Sequence, residues 1–263
     1  MTDKDPLFPQ TGAEGEPLLA ALARAPHEWA LFLDIDGTLL DLAETPDGIV
    51  VPPRLPDVLQ ALTRHLGGAL ALVTGRQVAL ADRLFTPHRF PIAGLHGAER
   101  RGSDGTLIPA DRPPALDDIR AELARAPAAL PGVLFEDKGA ALALHYRQAQ
   151  GTRDRVAALM EKQLARIGEG WELLHGKMVV ELRPAAKDKG RALRAFLDSE
   201  PFAGRKPLAI GDDVTDEAMF AAANALGGTS IRIAPPDQDT AALATLPTPE
   251  RLRQILEEIA HER

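Results

Sequence analysis

The sequence contains no cysteine, and this absence excludes disulfide bonds, thiolate catalysis and zinc sites built on cysteine. It also has no apolar run approaching the roughly eighteen residues that a membrane-spanning helix needs. Residues 1–20 are polar and contain proline, and they lack the basic stretch followed by an apolar stretch that marks a secretory signal. We therefore expect a cytoplasmic protein with no membrane partner.

A basic surface field is missing as well. The formal net charge is −8, so we expect no nucleic-acid partner, because such binding depends on clustered Lys and Arg. The negative charge is unevenly distributed along the chain. Residues 101–183 carry 12 Lys and Arg against 12 Asp and Glu, so all the net acidity lies outside this segment. The acidic remainder suits divalent cations, and the neutral segment suits an anionic ligand.

Length and composition are those of a globular protein. The 263 residues are enough for one large hydrophobic core or two smaller ones, and 45% of them are hydrophobic against 26% charged. The sequence shows no internal repeats and no low-complexity tracts. The fold class must therefore be inferred from the order of the apolar segments.

The stretch 29–40, WALFLDIDGTLL, organises the rest of the chain. Its five leading apolar residues predict a strand, which runs directly into Asp34, Asp36 and Gly37. In an open α/β sheet, ligands bind at the carboxyl ends of strands, and glycine permits the turn that brings both carboxylates together. A calcium loop is excluded because its glycine comes later in the motif. A strand followed by a plain Asp-Gly turn is the alternative without a function.

A β-α-β unit follows this strand. Apolar residues at helical spacing predict a helix over 55–66, Gly67-Gly68 ends it, and 69–73 predicts a buried strand. Such a unit implies a parallel pair of strands with a right-handed crossover. We therefore expect the ends of these two strands to lie at the same edge of one sheet.

Two further strand ends carry polar groups. The strand over 69–73 ends on Thr74-Gly75-Arg76, before a helix predicted over 77–85. Taken alone, Thr74 has a structural explanation, as a residue near the start of that helix. A third strand, predicted over 90–95, ends on His96-Gly97.

From residue 101 the pattern changes. The predicted elements are a helix, two strands, a second helix and two more strands, over 115–130, 133–137, 141–146, 152–167, 171–175 and 177–183. Strands joined by short connections pair antiparallel, so this segment predicts a four-stranded antiparallel sheet with both helices on one face. We therefore assign 101–183 to a second domain that is inserted into the first.

The first pattern then resumes. Lys189-Gly190 opens a helix, and a strand over 207–210 ends on the run GDDVTDE that contains Asp212, Asp213 and Asp216. A helix over 217–225, a strand over 229–233 and a helix begun by Thr248-Pro249 complete the chain. The predicted fold class is α/β, a Rossmann-like doubly wound parallel sheet over 1–100 and 184–263 with an inserted α+β domain over 101–183.

The polar groups at these element ends occur in a characteristic order. Asp34 and Asp36, then Thr74, then Lys189, then Asp212, Asp213 and Asp216 together resemble the four motifs of the haloacid-dehalogenase-like phosphotransferases, over about 29–100 and 184–245. Taken individually, these residues can be explained without a catalytic function: Lys189 as a solvated helix residue and Asp213 as a helix cap. The resemblance implies a Mg²⁺ site formed by Asp34, the main-chain carbonyl of Asp36, and Asp212.

The resemblance also implies a role for each residue. Asp34 is expected to attack phosphorus and form an aspartyl-phosphate, which divides one difficult displacement into two. Asp36 is expected to give a proton to the leaving oxygen and later to take one from water. Thr74 and Lys189 would bind phosphoryl oxygens. Asp213 and Asp216 would orient the metal waters and the lysine.

Several longer stretches narrow the resemblance to one family. The stretches GLHGAE (94–99), FEDK (135–138), HYR (145–147), ELRP (181–184) and GDDVTDE (211–217) resemble the trehalose-6-phosphate phosphatases over about 29–225. The family implies a C2-type cap that closes on the core and binds the sugar. One departure is the run Ala185-Ala186-Lys187-Asp188 before Lys189, which introduces a second lysine; Lys189, next to Gly190, remains our choice.

The substrate-binding residues implied by the family lie in both domains. They are Thr74, Gly75, Arg76, His96, Gly97, Glu136, Arg147, Lys177 and Glu181. Lys177 and Glu181 are four apart on a predicted strand, and such residues project to the same side. The expected substrate is trehalose 6-phosphate, and functional coupling to trehalose-6-phosphate synthase is a further expectation.

Other functions share this pattern of residues. Phosphatases of sucrose 6-phosphate or mannosyl-3-phosphoglycerate, and phosphomannomutase, have a similar core and cap. A mutase would return the phosphate to a sugar instead of passing it to water, and the spacing does not separate the two reactions. A non-catalytic sugar-phosphate sensor is less consistent with the sequence, because both Asp34 and Asp36 are present.

Overall fold

The computed structural model describes residues 13–42, 48–110, 113–185, 188–234 and 239–261. Its strands are β1 (Ala13–Glu14), β2 (Trp29–Leu33), β3 (Leu70–Val73), β4 (Ile92–Gly94), β5 (Glu99–Arg101), β6 (Leu107–Ile108), β7 (Leu134–Asp137), β8 (Leu142–His145), β9 (Trp171–Gly176), β10 (Val179–Pro184), β11 (Lys206–Gly211), β12 (Thr229–Ile233) and β13 (Ala244–Leu246).

The helices are α1 (Glu16–Arg24), α2 (Leu55–His65), α3 (Val78–Leu84), α4 (Ala115–Leu123), α5 (Ala126–Ala129), α6 (Arg153–Ile167), α7 (Lys189–Leu197), α8 (Glu217–Ala225) and α9 (Pro249–His261). Within the described ranges, none of the helices combines the length and the apolar character that crossing a membrane requires. Lys187, the second lysine that precedes Gly190, lies outside the described residues.

The chain divides into two compact units. The first comprises 1–108 and 188–263, and the second comprises 109–187. Each unit has a hydrophobic core of its own, and the first has one on each face of its sheet.

The sheet of the first unit has nine strands in the order β1-β13-β12-β11-β2-β3-β4-β5-β6. The pairs from β1 through β4 are parallel, and only the β4-β5 and β5-β6 pairs are antiparallel. The predicted Rossmann-like parallel sheet is therefore confirmed. Because β2, β3 and β11 are adjacent and parallel, their carboxyl ends lie at the same edge of the sheet.

Both faces of β2 are buried. Leu31 and Leu33 belong to a core that includes residues of α1, α2 and α9, whereas Ala30 and Phe32 belong to a core that includes residues of α7 and α8. This two-sided burial explains why the strand is a continuous apolar run without alternation of polar residues. The end of β2, where Asp34 follows, is thus anchored from both sides.

The second unit contains the predicted antiparallel sheet, with strands in the order β7-β8-β10-β9. Leu142 and Leu144 of β8 and Val180 and Leu182 of β10 share one core with apolar residues of α4 and α6, so the helices cover one face. Alternation along the strands directs the intervening residues to the other face. That face carries the charged or polar residues Glu136, His145, Glu172, Glu181 and Arg183, beside the apolar residues Leu134, Ala143, Leu174 and Val179.

Most predicted elements differ from the observed bounds by one or two residues at an end, and two differences have a clear structural cause. The helix over 115–130 is two helices, because Pro127 cannot donate an interior hydrogen bond and instead occupies the first turn of α5. The strand over 177–183 begins at Val179, because Lys177 and Met178 form the hairpin turn, with Met178 at a φ of 63°. The argument that Lys177 and Glu181 project from one strand to the same side is therefore wrong.

Candidate active site

The turn after β2 comes close to the loop after β11 and requires a glycine. The backbone N–H of Asp34 donates to the carbonyl of Ile210 at 3.0 Å, which holds the end of β2 against β11. Gly37 has a φ of +77°, and a Cβ at this position would lie 2.1 Å from Oδ2 of Asp212. Any side chain here would collide with Asp212, so only glycine brings the β2 turn and the β11 loop this close together.

The loop after β11 is organised around the side chain of Asp216. Its Oδ2 accepts the backbone N–H groups of Asp212 at 3.1 Å and of Asp213 at 3.0 Å. A Cβ on Gly211 would lie 2.2 Å from the Asp216 carboxyl carbon, so glycine is required for this fold-back. Asp213 itself is exposed. Asp216 therefore fixes the backbone of its neighbours in the motif, and its predicted role in orienting the metal waters stays a prediction.

Lys189 brings the separate elements of the site together. It is the first residue of α7, and it is buried, with 2% of its surface exposed. Its Nζ donates to Oδ1 of Asp34 and to Oδ1 of Asp216, both at 2.7 Å. The explanation of Lys189 as a solvated helix residue is therefore wrong.

The backbone of α7 is packed so that Lys189 reaches the carboxylates. Asp188 caps the helix by accepting the N–H of Arg191 at 2.8 Å. A Cβ on Gly190 would lie 2.3 Å from the carbonyl oxygen of Ala218, so glycine lets α7 approach α8 closely. The Lys-Gly pair noted in the sequence thus combines a charged group with the small residue that positions it.

Crowding of the carboxylates changes their pKa values. Burial raises the pKa of Asp34 well above its usual range, Lys189 opposes this shift, and the charges of Asp216 and Asp212 add to it. Burial and the charge of Asp216 raise the pKa of Asp212 to about 7. Burial alone would lower the pKa of Lys189, but the charges of Asp216 and Asp34 outweigh it and raise the pKa. The lysine is therefore cationic at neutral pH.

A bound divalent cation would reduce the repulsion among these crowded carboxylates. One oxygen from each of Asp34, Asp212 and Asp216 lies within 4.8 Å of the others. Three carboxylates opposed by the ammonium of Lys189 leave excess negative charge, and hard cations such as Mg²⁺ prefer oxygen ligands of this kind. Both oxygens of Asp216 already accept protein donors, so Asp34 and Asp212 fit the role of ligands better. The carbonyl of Asp36 as a third ligand stays a prediction.

Two residues that sequence reasoning missed hold Asp212. Thr38 donates its hydroxyl to Oδ1 of Asp212 at 3.2 Å, and Nε of Arg232 donates to the Asp212 carbonyl at 3.2 Å. Thr38 directly follows Gly37 in the first motif, so its position in the sequence could have identified it as a site residue. Arg232 lies on β12, and nothing in its sequence neighbourhood distinguishes it from an ordinary strand arginine.

The loop after β3 lies next to the turn after β2. Thr74 is buried, and its Oγ1 accepts the backbone N–H of Arg76 at 3.1 Å. The guanidinium of Arg76 binds the carboxylate of Asp36, with Nε 2.6 Å from Oδ2 and Nη2 2.8 Å from Oδ1. Arg76 was predicted to bind substrate, and the structure instead places it on the residue predicted to transfer a proton.

His96 and Gly97 form a left-handed turn that packs on this loop. Leu95, His96 and Gly97 have φ values of 50°, 55° and 96°, and a left-handed conformation is costly for the two residues that carry side chains. The N–H of His96 donates to the carbonyl of Thr74 at 3.0 Å, and a Cβ on Gly75 would lie 2.8 Å from the His96 ring. The predicted residues of the two loops are therefore in contact.

A third missed residue, Glu99, stabilises the same region. Its Oε1 accepts the backbone N–H of Val78, the first residue of α3, at 2.6 Å. A carboxylate at a helix N-terminus satisfies an N–H group that has no partner within the helix and interacts favourably with the helix dipole. Glu99 belongs to one of the stretches that resemble the family, but no role was predicted for it from the sequence.

The sheet face of the second unit that its helices leave uncovered contains a charged cluster made of Glu136, Lys138, His145 and Glu181. Nζ of Lys138 lies 2.6 Å from Oε2 of Glu181 and 3.9 Å from Oε2 of Glu136, which in turn lies 2.8 Å from Nε2 of His145. Burial lowers the pKa of Lys138, but the charges of Glu181 and Glu136 outweigh it and raise the pKa. Lys138 was not among the predicted site residues.

Two of the predicted sugar-binding residues, Lys177 and Arg147, lie outside this charged cluster. Lys177 is exposed in the turn between β9 and β10, and Arg147 is exposed after β8. Glu136 and Glu181 belong to the charged cluster. The structure therefore groups the two glutamates with Lys138 rather than with Lys177.

Comparison with known proteins identifies relatives that span most of the chain. The trehalose-phosphatase family model matches residues 32–248. A probable trehalose-phosphate phosphatase of Sinorhizobium fredii (strain NBRC 101917 / NGR234) is 56% identical over 248 residues, which are 94% of each chain. A trehalose-6-phosphate phosphatase of Escherichia coli (strain K12) is 44% identical over 207 residues, which are 78% of this chain and 77% of that protein.

Solved structures show the same fold. The C-terminal domain of a trehalose-6-phosphate phosphatase from C. albicans has a TM-score of 0.80 and 20% identity, and the match covers 95% of this chain and 98% of that chain. At this identity the similarity shows the fold alone. A trehalose-6-phosphate phosphatase related protein has a TM-score of 0.74 and 25% identity over 88% of this chain and 96% of that chain.

Replacing Lys189 with Met should destabilise the first unit by about 3–5 kcal/mol, because it leaves the buried carboxylates of Asp34 and Asp216 without their common counter-charge. Urea unfolding in EDTA measures this loss. The double variant Lys189→Met with Asp216→Asn should recover part of it by removing one charge.

The matched control is Lys206→Met, since Lys206 is exposed and pairs with Glu28 at 3.3 Å. Its free energy of unfolding should change by no more than about 0.5 kcal/mol. A loss for Lys189→Met no larger than that of the control would contradict the central role of Lys189.

Proposed function

The chain belongs to the trehalose-phosphatase family, and we propose that it hydrolyses trehalose 6-phosphate to trehalose and inorganic phosphate with Mg²⁺ as cofactor. The observation that carries the mechanism is the ion-paired triad of Asp34, Lys189 and Asp216 at the carboxyl edge of the parallel sheet. It combines a carboxylate that can attack phosphorus with a cation that can bind phosphoryl oxygens.

In the proposed first step Asp34 attacks phosphorus, the bond from phosphorus to the sugar oxygen breaks, and an aspartyl-phosphate forms. Lys189 keeps one oxygen of Asp34 fixed, which orients the carboxylate. Bound Mg²⁺ would supply positive charge against the carboxylates and the phosphoryl oxygens. Asp34 and Asp212 are the side chains proposed to hold it.

In the proposed second step water attacks phosphorus, the bond from phosphorus to the Asp34 oxygen breaks, and inorganic phosphate leaves the regenerated carboxylate. Asp36 gives its proton to the departing sugar oxygen in the first step and takes a proton from water in the second. Thr74 and Lys189 bind phosphoryl oxygens through both steps, because they lie at neighbouring element ends around Asp34. Asp213 and Asp216 orient the surrounding groups, as the hydrogen bonds of Asp216 support.

We assign sugar recognition to the charged cluster of the second unit. Glu181 is buried and ion-paired with Lys138, and Glu136 lies within the same cluster, so these side chains are held in defined positions. Carboxylates accept hydrogen bonds from sugar hydroxyls, and an ammonium donates to them. Lys177 and Arg147 have weaker support because each is exposed.

The related reactions differ in substrate and not in the core chemistry. Phosphatases of sucrose 6-phosphate or mannosyl-3-phosphoglycerate, and phosphomannomutase, need the same nucleophile and acid-base residue. The identity to two relatives named as trehalose-phosphate phosphatases favours trehalose 6-phosphate. A cytoplasmic location and functional coupling to trehalose-6-phosphate synthase stay predictions from the sequence.

Phosphate release from trehalose 6-phosphate should exceed that from sucrose 6-phosphate and mannosyl-3-phosphoglycerate at equal concentrations. Asp34→Asn should abolish the reaction, because an amide neither attacks phosphorus nor balances a bound cation. Its thermal unfolding should remain cooperative, which shows that the fold is intact. Appreciable turnover by this variant would exclude Asp34 as the nucleophile. If the wild-type enzyme preferred another ester, the assignment of trehalose 6-phosphate as the substrate would be wrong.

Removal of Mg²⁺ with EDTA should stop turnover, and Ca²⁺ should restore it poorly because a larger ion accepts more ligands in a looser geometry. A second readout does not depend on activity. Mg²⁺ should raise the Tm of the metal-free protein, and Asp212→Asn should remove this shift because a ligand is lost. Full activity in EDTA, or an unchanged Tm shift in the variant, would contradict the proposed metal site.

Glu181→Gln and Lys138→Met should each lower kcat/KM for trehalose 6-phosphate by about 10- to 100-fold, the range expected for loss of a hydrogen bond to a charged group. Hydrolysis of p-nitrophenyl phosphate, which has no sugar, should be retained. The control is Glu172→Gln, which breaks the Glu172–Arg183 pair at 2.8 Å on the same sheet face. Equal losses on both esters would indicate a damaged fold rather than lost sugar binding.

A further inference from the structure

The side chain of Asp36 is held by both of its oxygens. Nε of Arg76 donates to Oδ2 at 2.6 Å, and Nη2 donates to Oδ1 at 2.8 Å. This is a two-point pairing, in which the planar guanidinium matches the planar carboxylate. It therefore fixes the rotation of the carboxylate as well as its distance.

The backbone of Arg76 is itself held in place. Its N–H donates to Oγ1 of Thr74 at 3.1 Å, and its carbonyl accepts the N–H of Leu95 at 3.0 Å. A Cβ on Gly94 would lie 2.8 Å from that carbonyl oxygen, so the glycine permits the close approach of the two loops. The guanidinium thus extends from a fixed point in the loop that follows β3.

We propose that Arg76 is a positioning residue for proton transfer, which holds the carboxyl group of Asp36 in the orientation that the leaving sugar oxygen requires. This inference rests on the proposed function. It changes the predicted role of Arg76, from a residue that binds substrate to one that acts through Asp36.

The proton balance of the two steps fits this role. When the phosphorus–sugar bond breaks, the proton of Asp36 goes to the sugar oxygen, and the carboxylate that remains accepts both N–H groups of Arg76. When water attacks the aspartyl-phosphate, that carboxylate takes a proton from water and releases one of the two N–H groups.

If Arg76 instead bound the phosphoryl group directly, its loss would have a different effect. An arginine that binds the phosphoryl group assists every phosphate ester alike, because the phosphoryl group is common to all of them. In the first step, an arginine that acts through Asp36 matters only where the leaving oxygen needs a proton. The p-nitrophenolate ion leaves without one, whereas a sugar alkoxide does not. The second step also uses Asp36, but the aspartyl-phosphate is the same for both esters, so the comparison must report the first step.

The test compares Arg76→Gln, Asp36→Asn and the double variant on trehalose 6-phosphate and p-nitrophenyl phosphate. We expect Arg76→Gln to lower kcat/KM, which reports the first step, by about 10²-fold or more on trehalose 6-phosphate, the usual contribution of proton transfer, and to change kcat/KM for the aryl ester far less. The double variant should be no slower than Asp36→Asn alone, because both changes remove the same step.

The variant Arg76→Lys provides a second test. The degree to which it recovers activity relative to Arg76→Gln separates the positioning role from a purely structural role of Arg76. Lysine keeps the positive charge but donates from one point, so it should restore only part of the activity on the sugar ester. Full recovery would show that charge alone suffices, and it would overturn the positioning role.

The matched control is Arg101→Gln. Arg101 also binds an aspartate at two points, with Nη1 and Nη2 each 2.7 Å from the oxygens of Asp82. Its loss should lower the Tm, and any change in rate should be the same for both esters. A variant of Arg76 that merely damages the fold would resemble this control.

Equal losses on the two esters, or losses that multiply in the double variant, would overturn the proposal and assign Arg76 to the phosphoryl group. Failure of the wild-type enzyme on trehalose 6-phosphate would instead overturn the proposed function. In that case glycerol 2-phosphate replaces the sugar ester as the substrate with a poor leaving group. The comparison with p-nitrophenyl phosphate then still decides whether Arg76 acts through Asp36.

Discussion

The ammonium of Lys189, bound at 2.7 Å to both Asp34 and Asp216, is the interaction on which the site depends. It joins the end of β2, the loop after β11 and the start of α7, which are distant in sequence. Charges buried at this depth are stable only when they are paired. The arrangement is therefore strict, and the glycines at 37, 190 and 211 are needed because side chains there would push these segments apart.

The pairing leaves the site with more negative than positive charge. Burial and mutual repulsion raise the pKa values of Asp34 and Asp212, and such perturbed carboxylates in one cluster are typical of functional sites. A stable fold alone would not require this crowding, since apolar residues of similar volume pack at least as well. The excess charge is what makes the edge of the sheet suited to a divalent cation and a phosphoryl group.

The sequence predicted the order of elements well and their bounds less well. The strand over 229–233 and the helix over 217–225 have the predicted bounds, because their apolar patterns are long and clear. The short strands β1, β5, β6 and β13 were not predicted. Glu99–Arg101 is entirely charged, and its pairing with β4 depends on residues outside the strand. The turn at Lys177 was missed because one positive φ, at Met178, decides where the strand begins.

The sequence by itself determined the chemistry that is available: a strand ending in Asp34 and Asp36, a Thr74 turn, a Lys-Gly helix start and an aspartate-rich loop, in an order that specifies both the α/β sheet and the family. The tertiary structure alone decided which donor meets which carboxylate. Arg76 reaches Asp36, and Lys138 reaches Glu181, across 40 and 43 residues of sequence. Local patterns record the periodicity of burial, whereas such pairings depend on where separate strand ends converge in space, and no short stretch of sequence contains that information.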